Sequence, residues 1–238
     1  MNFNGKNILV VGGSSGIGLS LVKFLHENNA VVYVISRSEN VDLPQGVKHL
    51  QIDVTGELGP VTEFLPEQLH GLVYSVGSIN LKPFNRLSAD DFVSDYRINV
   101  LGAVQIIQQS LKQLKKAAGA SIVLISSVAA KTGLPYHASI SAAKGGVEGL
   151  ALALAAELAV QQIRVNVVAP SLTDTPMAQN LLSTPEKREA SAKRHPLGKY
   201  GQPEDISQAI AFLLSENSGW VTGQVIGIDG GMGKLKTA

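Results

Sequence analysis

The 238-residue sequence contains no cysteine, which excludes disulfides and cysteine-ligated metals. A formal net charge of +1 gives no electrostatic reason to expect nucleic acid or an anionic membrane as a partner. No stretch approaches the run of about 20 apolar residues that a transmembrane helix needs. The first residues, MNFNGKN, lack the basic-then-apolar pattern of a secretory leader. The five histidines are scattered, without a His-x3-His pair, and no metal centre is expected. These absences leave a soluble globular protein with a cytoplasmic location as the expectation. Hydrophobic content of 45% and charged content of 16% agree with that class, and the length suits one large α/β domain spanning residues 1–238.

What is present begins with a glycine-rich turn. The apolar run Ile8–Val11 reads as a buried strand, and Leu19–His26 carries Leu21, Val22 and Leu25 at helical spacing. Between them lies Gly12-Gly13-Ser14-Ser15-Gly16-Ile17-Gly18. Such a turn aims backbone N–H groups and the positive end of a helix at a phosphate or pyrophosphate. Gly12 permits the tight turn, Gly16 lets a ligand approach the backbone, and Gly18 lets the helix pack on the strand. The spacing Gly-x3-Gly-x-Gly differs from the usual dinucleotide fingerprint.

The second strand, Val31–Ile35, closes at Ser36-Arg37. In a dinucleotide fold this strand end meets the adenosine ribose, where an acid would bond the 2′-hydroxyl and repel a 2′-phosphate. Ser36 is neutral and the Arg37 guanidinium can take a phosphate in bidentate fashion, so the residues point to NADP(H) over NAD(H); a solvated surface arginine is the alternative. The crossover Ser38–Gly46 is polar and broken by Pro44 and Gly46. A third strand over about 47–52 leads to Asp53-Val54, which either borders the adenine or simply ends the strand in a turn. The fourth strand, Leu72–Gly77, ends in a glycine that suits the floor of a ligand site.

Ser88 is a plausible N-cap, with Asp90 and Asp91 in the first turn. The helical zone that follows runs to about Leu114, with an interruption near Asn99 and Gly102. Asn99, among Ile98, Val100 and Leu101, is expected to be buried and so to need partners for its amide. The fifth strand, Ser121–Ile125, places Ser126 and Ser127 at its carboxyl end, where ligands lie in open α/β sheets. A helix over about 140–160 carries Lys144. The sixth strand, Arg164–Ala169, ends at Pro170. The polar, proline-punctuated segment Thr173–Lys199 resembles a lid. Pro203 opens another helix, and Val225–Ile228 forms the last strand, closing at Asp229. Strands alternating with helices predict a single-domain, doubly wound, Rossmann-like α/β fold with a parallel sheet and helices on both faces.

In its motifs the chain resembles the short-chain dehydrogenase/reductase family, and within it the ketoacyl-reductase-like branch. The stretches that carry the resemblance are Gly12–Gly18, Arg97-Ile98-Asn99-Val100, Ile125-Ser126-Ser127, Ser141–Val147, Arg164–Pro170, and Trp220–Gln224 with Asp229-Gly230-Gly231. The resemblance implies that Asn99 holds a water in a proton relay and that Ser127 binds the substrate carbonyl oxygen. It implies that Lys144 bonds the nicotinamide ribose and lowers the pKa of a neighbouring tyrosine. It also puts Gly12, Ser14, Ser15, Gly16, Ile17, Gly18, Gly77, Pro170, Thr173 and Thr175 beside the cofactor. Thr175 would contact the carboxamide, or would merely cap the helix begun by Pro176. A homotetramer or dimer follows from the same resemblance.

The chain departs from the family at the tyrosine. Counting four residues back from Lys144 and thirteen forward from Ser127 reaches the same residue, Ile140, which cannot donate a proton. General acid catalysis is worth about 10²–10⁴ in rate, or roughly 3–5 kcal/mol of barrier. Tyr136 lies in the loop before this helix and is either a relocated donor or a pocket wall. Two smaller departures are Tyr74-Ser75-Val76-Gly77, where the family has Asn-Asn-Ala-Gly, and Pro170-Ser171, where it has Pro-Gly. Three functions follow as expectations. The first is an NADP(H)-dependent carbonyl/alcohol oxidoreductase acting on a small-molecule substrate. The second is a reductase of acyl-thioester carbon–carbon double bonds. The third is a non-catalytic NADP(H)-binding sensor.

Overall fold

Among the described residues, five of the seven strands are near-continuous runs of Val, Ile and Leu, the pattern of a parallel sheet covered on both faces. In the computed structural model, which describes residues 1–38 and 41–236, they are β1 (Asn7–Val11), β2 (Val31–Ser36), β4 (Gly71–Tyr74), β5 (Ser121–Ile125) and β6 (Arg164–Pro170). The shorter β3 (Lys48–Gln51) and β7 (Val225–Ile228) close the two edges. All pair in parallel, in the order β3-β2-β1-β4-β5-β6-β7. The chain therefore winds outward from β1 in one direction and then, from β4, in the other. β1 is paired with both β2 and β4, with Val11 opposite Ile35 on one side and Tyr74 on the other. The crevice at the carboxyl ends of β1 and β4 is the switch point where such sheets bind ligands.

Alternation along the strands divides the core in two. Leu9, Val11, Tyr33, Ile35, Leu72, Tyr74, Ile122 and Leu124 face the layer containing α2 (Gly59–Phe64), α4 (Gly102–Lys116) and α5 (Ala138–Leu158). Ile8, Val10, Val32, Val34, Val73, Val123 and Ile125 face the layer of α1 (Gly16–Glu27) and α7 (Pro203–Leu214). The fold is thus the α/β, Rossmann-like arrangement expected from the sequence.

Several boundaries differ from the sequence reading. β4 stops at Tyr74 rather than Gly77, where its neighbour β1 also ends, at Val11, and the chain turns at Gly12 with a φ of +84°. α5 starts at Ala138 and ends at Leu158. The polar crossover shows no helix among its described residues; Glu39 and Asn40 lie outside them. Ser88 caps α3 (Ala89–Tyr96) in a reciprocal box with Asp91, as the sequence suggested. The expected interruption near Asn99 is not a break. The helix continues through a π turn, Arg97–Leu101, directly into α4. A π turn displaces one carbonyl from the regular ladder, and here Ile98 O accepts the Tyr74 hydroxyl at 2.6 Å. Gly102 follows because a Cβ there would collide with that hydroxyl.

Candidate functional site

The glycine turn meets the helix without local caps. Ser15 stands at the N-cap of α1 in extended conformation, its side chain makes no capping bond, and the first turn carries no acid. With no Ser15 cap and no acid in the first turn, the positive end of this 12-residue helix suits an anion. Gly12 has a φ of +84°, and a Cβ on it would touch the Ser75 backbone at 3.0 Å. A Cβ on Gly18 would collide with the Gly12 carbonyl, and one on Gly16 would meet the Thr175 methyl at 3.1 Å. These contacts hold the turn tight, and they bring Thr175, a residue from far along the chain, onto it. Thr175 occupies the N-cap position before Pro176 but makes no side-chain cap bond. Its hydroxyl reaches Thr173 O at 3.4 Å instead. Thr173 is buried and bridges Gly201, just past Pro170 at the end of β6.

At the end of β2, Ser36 is buried and its hydroxyl donates to Ser38 O at 2.9 Å. With that one proton committed, Ser36 Oγ accepts from His49 Nε2 at 2.7 Å. Arg37 next to it is exposed. No acid replaces Ser36 at this strand end. Asp53 is engaged in its own turn: Oδ1 accepts from Thr55 N at 2.8 Å and from Thr55 Oγ1 at 2.7 Å. Those bonds, and secondarily the Arg37 and Arg97 charges, hold its carboxyl below the usual range. The turn role of Asp53 is thus visible in the structure, while Val54 is buried beneath it.

Three of the four proposed catalytic side chains lie at the carboxyl ends of β4 and β5. Lys144, only 7% exposed, donates from Nζ to Ile125 O at 2.8 Å. Burial lowers its pKa from 10.5 to about 8, against an opposing pull from the Asp95 charge. Asn99 is 1% exposed; its Nδ2 donates to Asp95 O at 2.8 Å and Ser78 Oγ at 3.1 Å, and its Oδ1 has no partner. A Cβ on Gly77 would come within 3.3 Å of Asn99 Oδ1 and 3.4 Å of Lys144 Nζ, so both groups border the same small space over Gly77. Ser127 follows β5 directly, and its Oγ accepts from Ala129 N at 3.2 Å, which leaves the O–H to donate. Ile140 is 6% exposed in α5, one turn before Lys144 and on the same helical face.

Tyr136 is not brought to this group. It is 59% exposed, with a left-handed φ of +69°. It lines a surface cavity of about 340 Å³ with Lys82, Phe84 and Lys131, to which Ser127, Asn99 and Lys144 do not contribute. Sequence reasoning missed Ser78, Asp95, His49 and His195 as members of the site region. Ser78 Oγ donates to Asp95 Oδ1 at 2.6 Å. Ser171 Oγ bonds His195 Nε2 at 2.8 Å while His195 Nδ1 donates to Ser191 O at 2.8 Å. His49 sits behind Ser36. Asp95 had a usable signal, standing four residues before Asn99 and hence on its helical face. His49 and His195 had none, since their contacts cross between separate segments.

The sequence profile of a family described as enoyl-(acyl carrier protein) reductase matches residues 11–233. The chain is 36% identical to 3-oxoacyl-[acyl-carrier-protein] reductase FabG of Thermotoga maritima, covering 98% of this chain and 99% of that one. It is 32% identical to L-xylulose reductase of Bos taurus, covering 95% and 96%. A solved short chain dehydrogenase family protein from Francisella tularensis superposes with a TM-score of 0.90 at 28% identity, over 97% of this chain and 99% of that one. A structure of ElxO with NADPH bound gives 0.87 at 29% identity, over 95% and 98%. Parallel sheet, glycine turn, site geometry and these full-length similarities agree: the chain belongs to the short-chain dehydrogenase/reductase family of oxidoreductases.

Proposed function

We propose that the chain is an NADP(H)-dependent oxidoreductase that interconverts a carbonyl and an alcohol through a site in which Ile140 occupies the position of the family's tyrosine. The observation that carries this reading is the shared space over Gly77, bordered by Asn99 and Lys144, beside Ser127 at the end of β5. The uncapped start of α1 and the tight Gly12–Gly18 turn fit a pyrophosphate, with Ser14, Ser15 and Ile17 along the turn. Exposed Arg37, next to the neutral Ser36 that ends β2, favours a 2′-phosphate. Asp53 and Val54 would border the adenine, and Pro170, Thr173 and Thr175 the nicotinamide. Bound NADP(H) supplies the hydride. Lys144 holds the ribose hydroxyls, Ser127 donates to the carbonyl oxygen, and Asn99 Oδ1 accepts from a water.

A second reading, reduction of the carbon–carbon double bond of an acyl thioester, is favoured by the description of the matching profile and by the lack of an acid at Ile140. A third, cofactor binding without turnover, is favoured by the same gap. The segment 173–199, which contains α6 (Pro185–Lys193), serves as a lid in this proposal. Exposed Leu152, Val160 and Trp220 support assembly as a homotetramer or dimer, checked by light scattering; a cytoplasmic location completes the proposal. The test is oxidation of NADPH against matched panels of ketones, aldehydes and enoyl thioesters, alongside calorimetric binding. Turnover on carbonyls supports the first reading and turnover on enoyl thioesters alone the second. Tight binding with no turnover on either panel establishes the third.

A further inference from the structure

Asp95 is a carboxylic acid placed where the protein provides little for it. It lies in the last turn of α3, 2% exposed. Its Oδ1 accepts from Ser78 Oγ at 2.6 Å, and its Oδ2 has no partner. The order of donors around it is forced. Asp95 O is a carbonyl, so the atom of Asn99 bonded to it at 2.8 Å must be the amide nitrogen. That nitrogen's second proton goes to Ser78 Oγ at 3.1 Å, and Ser78 passes its own proton to Asp95. The remaining Asn99 atom, Oδ1, then faces the space over Gly77 that Lys144 Nζ also borders. A buried cation and a buried acid thus border one polar region: bonds run from Asp95 through Ser78 to Asn99, whose unpartnered Oδ1 faces the same small space as Lys144 Nζ.

We propose that Asp95 is a positioning residue whose carboxylate, held by Ser78, keeps Lys144 in its ammonium form inside the protein. A buried ammonium with only a neutral carbonyl as acceptor is costly, and among the described residues Lys144 Nζ donates to Ile125 O. The other acid on this side, Glu148 of α5, is engaged elsewhere: Oε1 accepts from Ser126 at 2.9 Å and Oε2 pairs with Lys131 at 3.1 Å. β5 and the Gly77 loop bring Ile125, Ser126, Gly77 and Ser78 to this region, none of them titratable, and Arg97 of the π turn donates to Thr55 O at 2.8 Å. On the α3 side, Tyr96 packs its ring on Gly146, and Asp91 is paired with Lys82 at 2.7 Å. Asp95 is the charge left to act on Lys144. The electrostatics agree in sign, since burial lowers the Lys144 pKa and Asp95 raises it. The consequence for ribose binding rests on the proposed oxidoreductase reading; the charge state of Lys144 does not.

The test is therefore made on the full chain without cofactor or substrate. Lysine labelled with ¹³C at Cε is titrated by NMR, with the Lys144 signal identified by its loss in Lys144→Arg. Asp95→Asn preserves shape and the Ser78 bond while removing the charge. It is expected to lower the Lys144 midpoint by about half a pH unit or more, at least roughly a threefold loss of proton affinity. Asp95→Glu is expected to restore most of it. An unchanged midpoint in folded Asp95→Asn, with only thermal stability lost, overturns the proposal and leaves Asp95 a structural residue. If Asp95→Asn does not fold, the Asp95 ¹³Cγ shift of the natural chain decides: an ionised carboxylate that responds to the Lys144 titration supports the proposal. A protonated carboxyl near neutral pH refutes it. Failure of NADPH to bind or turn over would overturn the oxidoreductase reading without touching this result.

Discussion

The Tyr74 hydroxyl donates to Ile98 O at 2.6 Å, tying the end of β4 to the π turn that carries Asn99. A regular α-helix would consume that carbonyl in its own ladder; the π turn frees it, and the glycine at 102 makes room for the phenol. One side chain thereby sets the position of Asn99 relative to Gly77 and Lys144.

Gly102→Ala tests this relationship. In an ordinary helix the change stabilises by about 0.4–1 kcal/mol, but here the new Cβ meets the Tyr74 hydroxyl. Gly102→Ala is expected to destabilise by about 1–3 kcal/mol, as overpacking does. Adding Tyr74→Phe should recover part of that loss. A double-mutant cycle by urea unfolding measures the coupling, and strict additivity would refute the steric account.

Cofactor preference should follow Arg37. NADPH is expected to bind more tightly than NADH because the guanidinium pairs with the 2′-phosphate and Ser36 does not repel it. Arg37→Asp should reverse the order. Calorimetric titration giving equal affinities for the two cofactors in the unaltered protein would remove the argument.

On the proposed assignment of Ile140 to the tyrosine position, Ile140→Tyr should place an acid one turn before Lys144, whose ammonium lowers a neighbouring phenol's pKa. Reduction of a generic diketone or ketoester by NADPH is expected to rise by about 10²-fold or more. Tyr136→Phe is the matched control, expected to leave activity unchanged because Tyr136 points to a separate surface cavity. Loss of a native activity in Tyr136→Phe would instead make Tyr136 the relocated donor.

Stability should peak on the alkaline side. The Lys144 pKa falls from 10.5 to about 8 on folding, so below about 8 both states are charged and the folded one bears the full cost of burial. Between about 8 and 10.5 the unfolded state binds the extra proton, and stability rises with pH. The span corresponds to about 3 kcal/mol in total. Tyr74 acts oppositely: burial raises its pKa above the ordinary 10.0, so the unfolded state loses its proton first and stability falls above that pH. Denaturant unfolding across pH 7–11 should show a rise that disappears in Lys144→Met and a fall that softens in Tyr74→Phe. A Lys144→Met profile identical to that of the natural chain between about pH 8 and 10 would contradict the first limb.

The sheet, the glycine turn and the positions of Asn99, Ser127 and Lys144 were legible in the sequence because each depends on local pattern. Apolar runs mark buried strands, glycines mark a turn that needs positive φ or close approach, and strand ends mark where ligands lie. The reading of Ile140 as the tyrosine's position rests instead on the family resemblance, by counting along one helix from Lys144. The tertiary structure alone decided what those residues touch. Asp95 and Ser78 join Asn99 because a π turn and the loop after β4 meet. His49 reaches Ser36 because two parallel strands share a register, and Thr175 lies on Gly16 because the chain returns to the sheet much later. Burial then lowers the pKa of Lys144, a property of its surroundings that residue type and spacing do not contain.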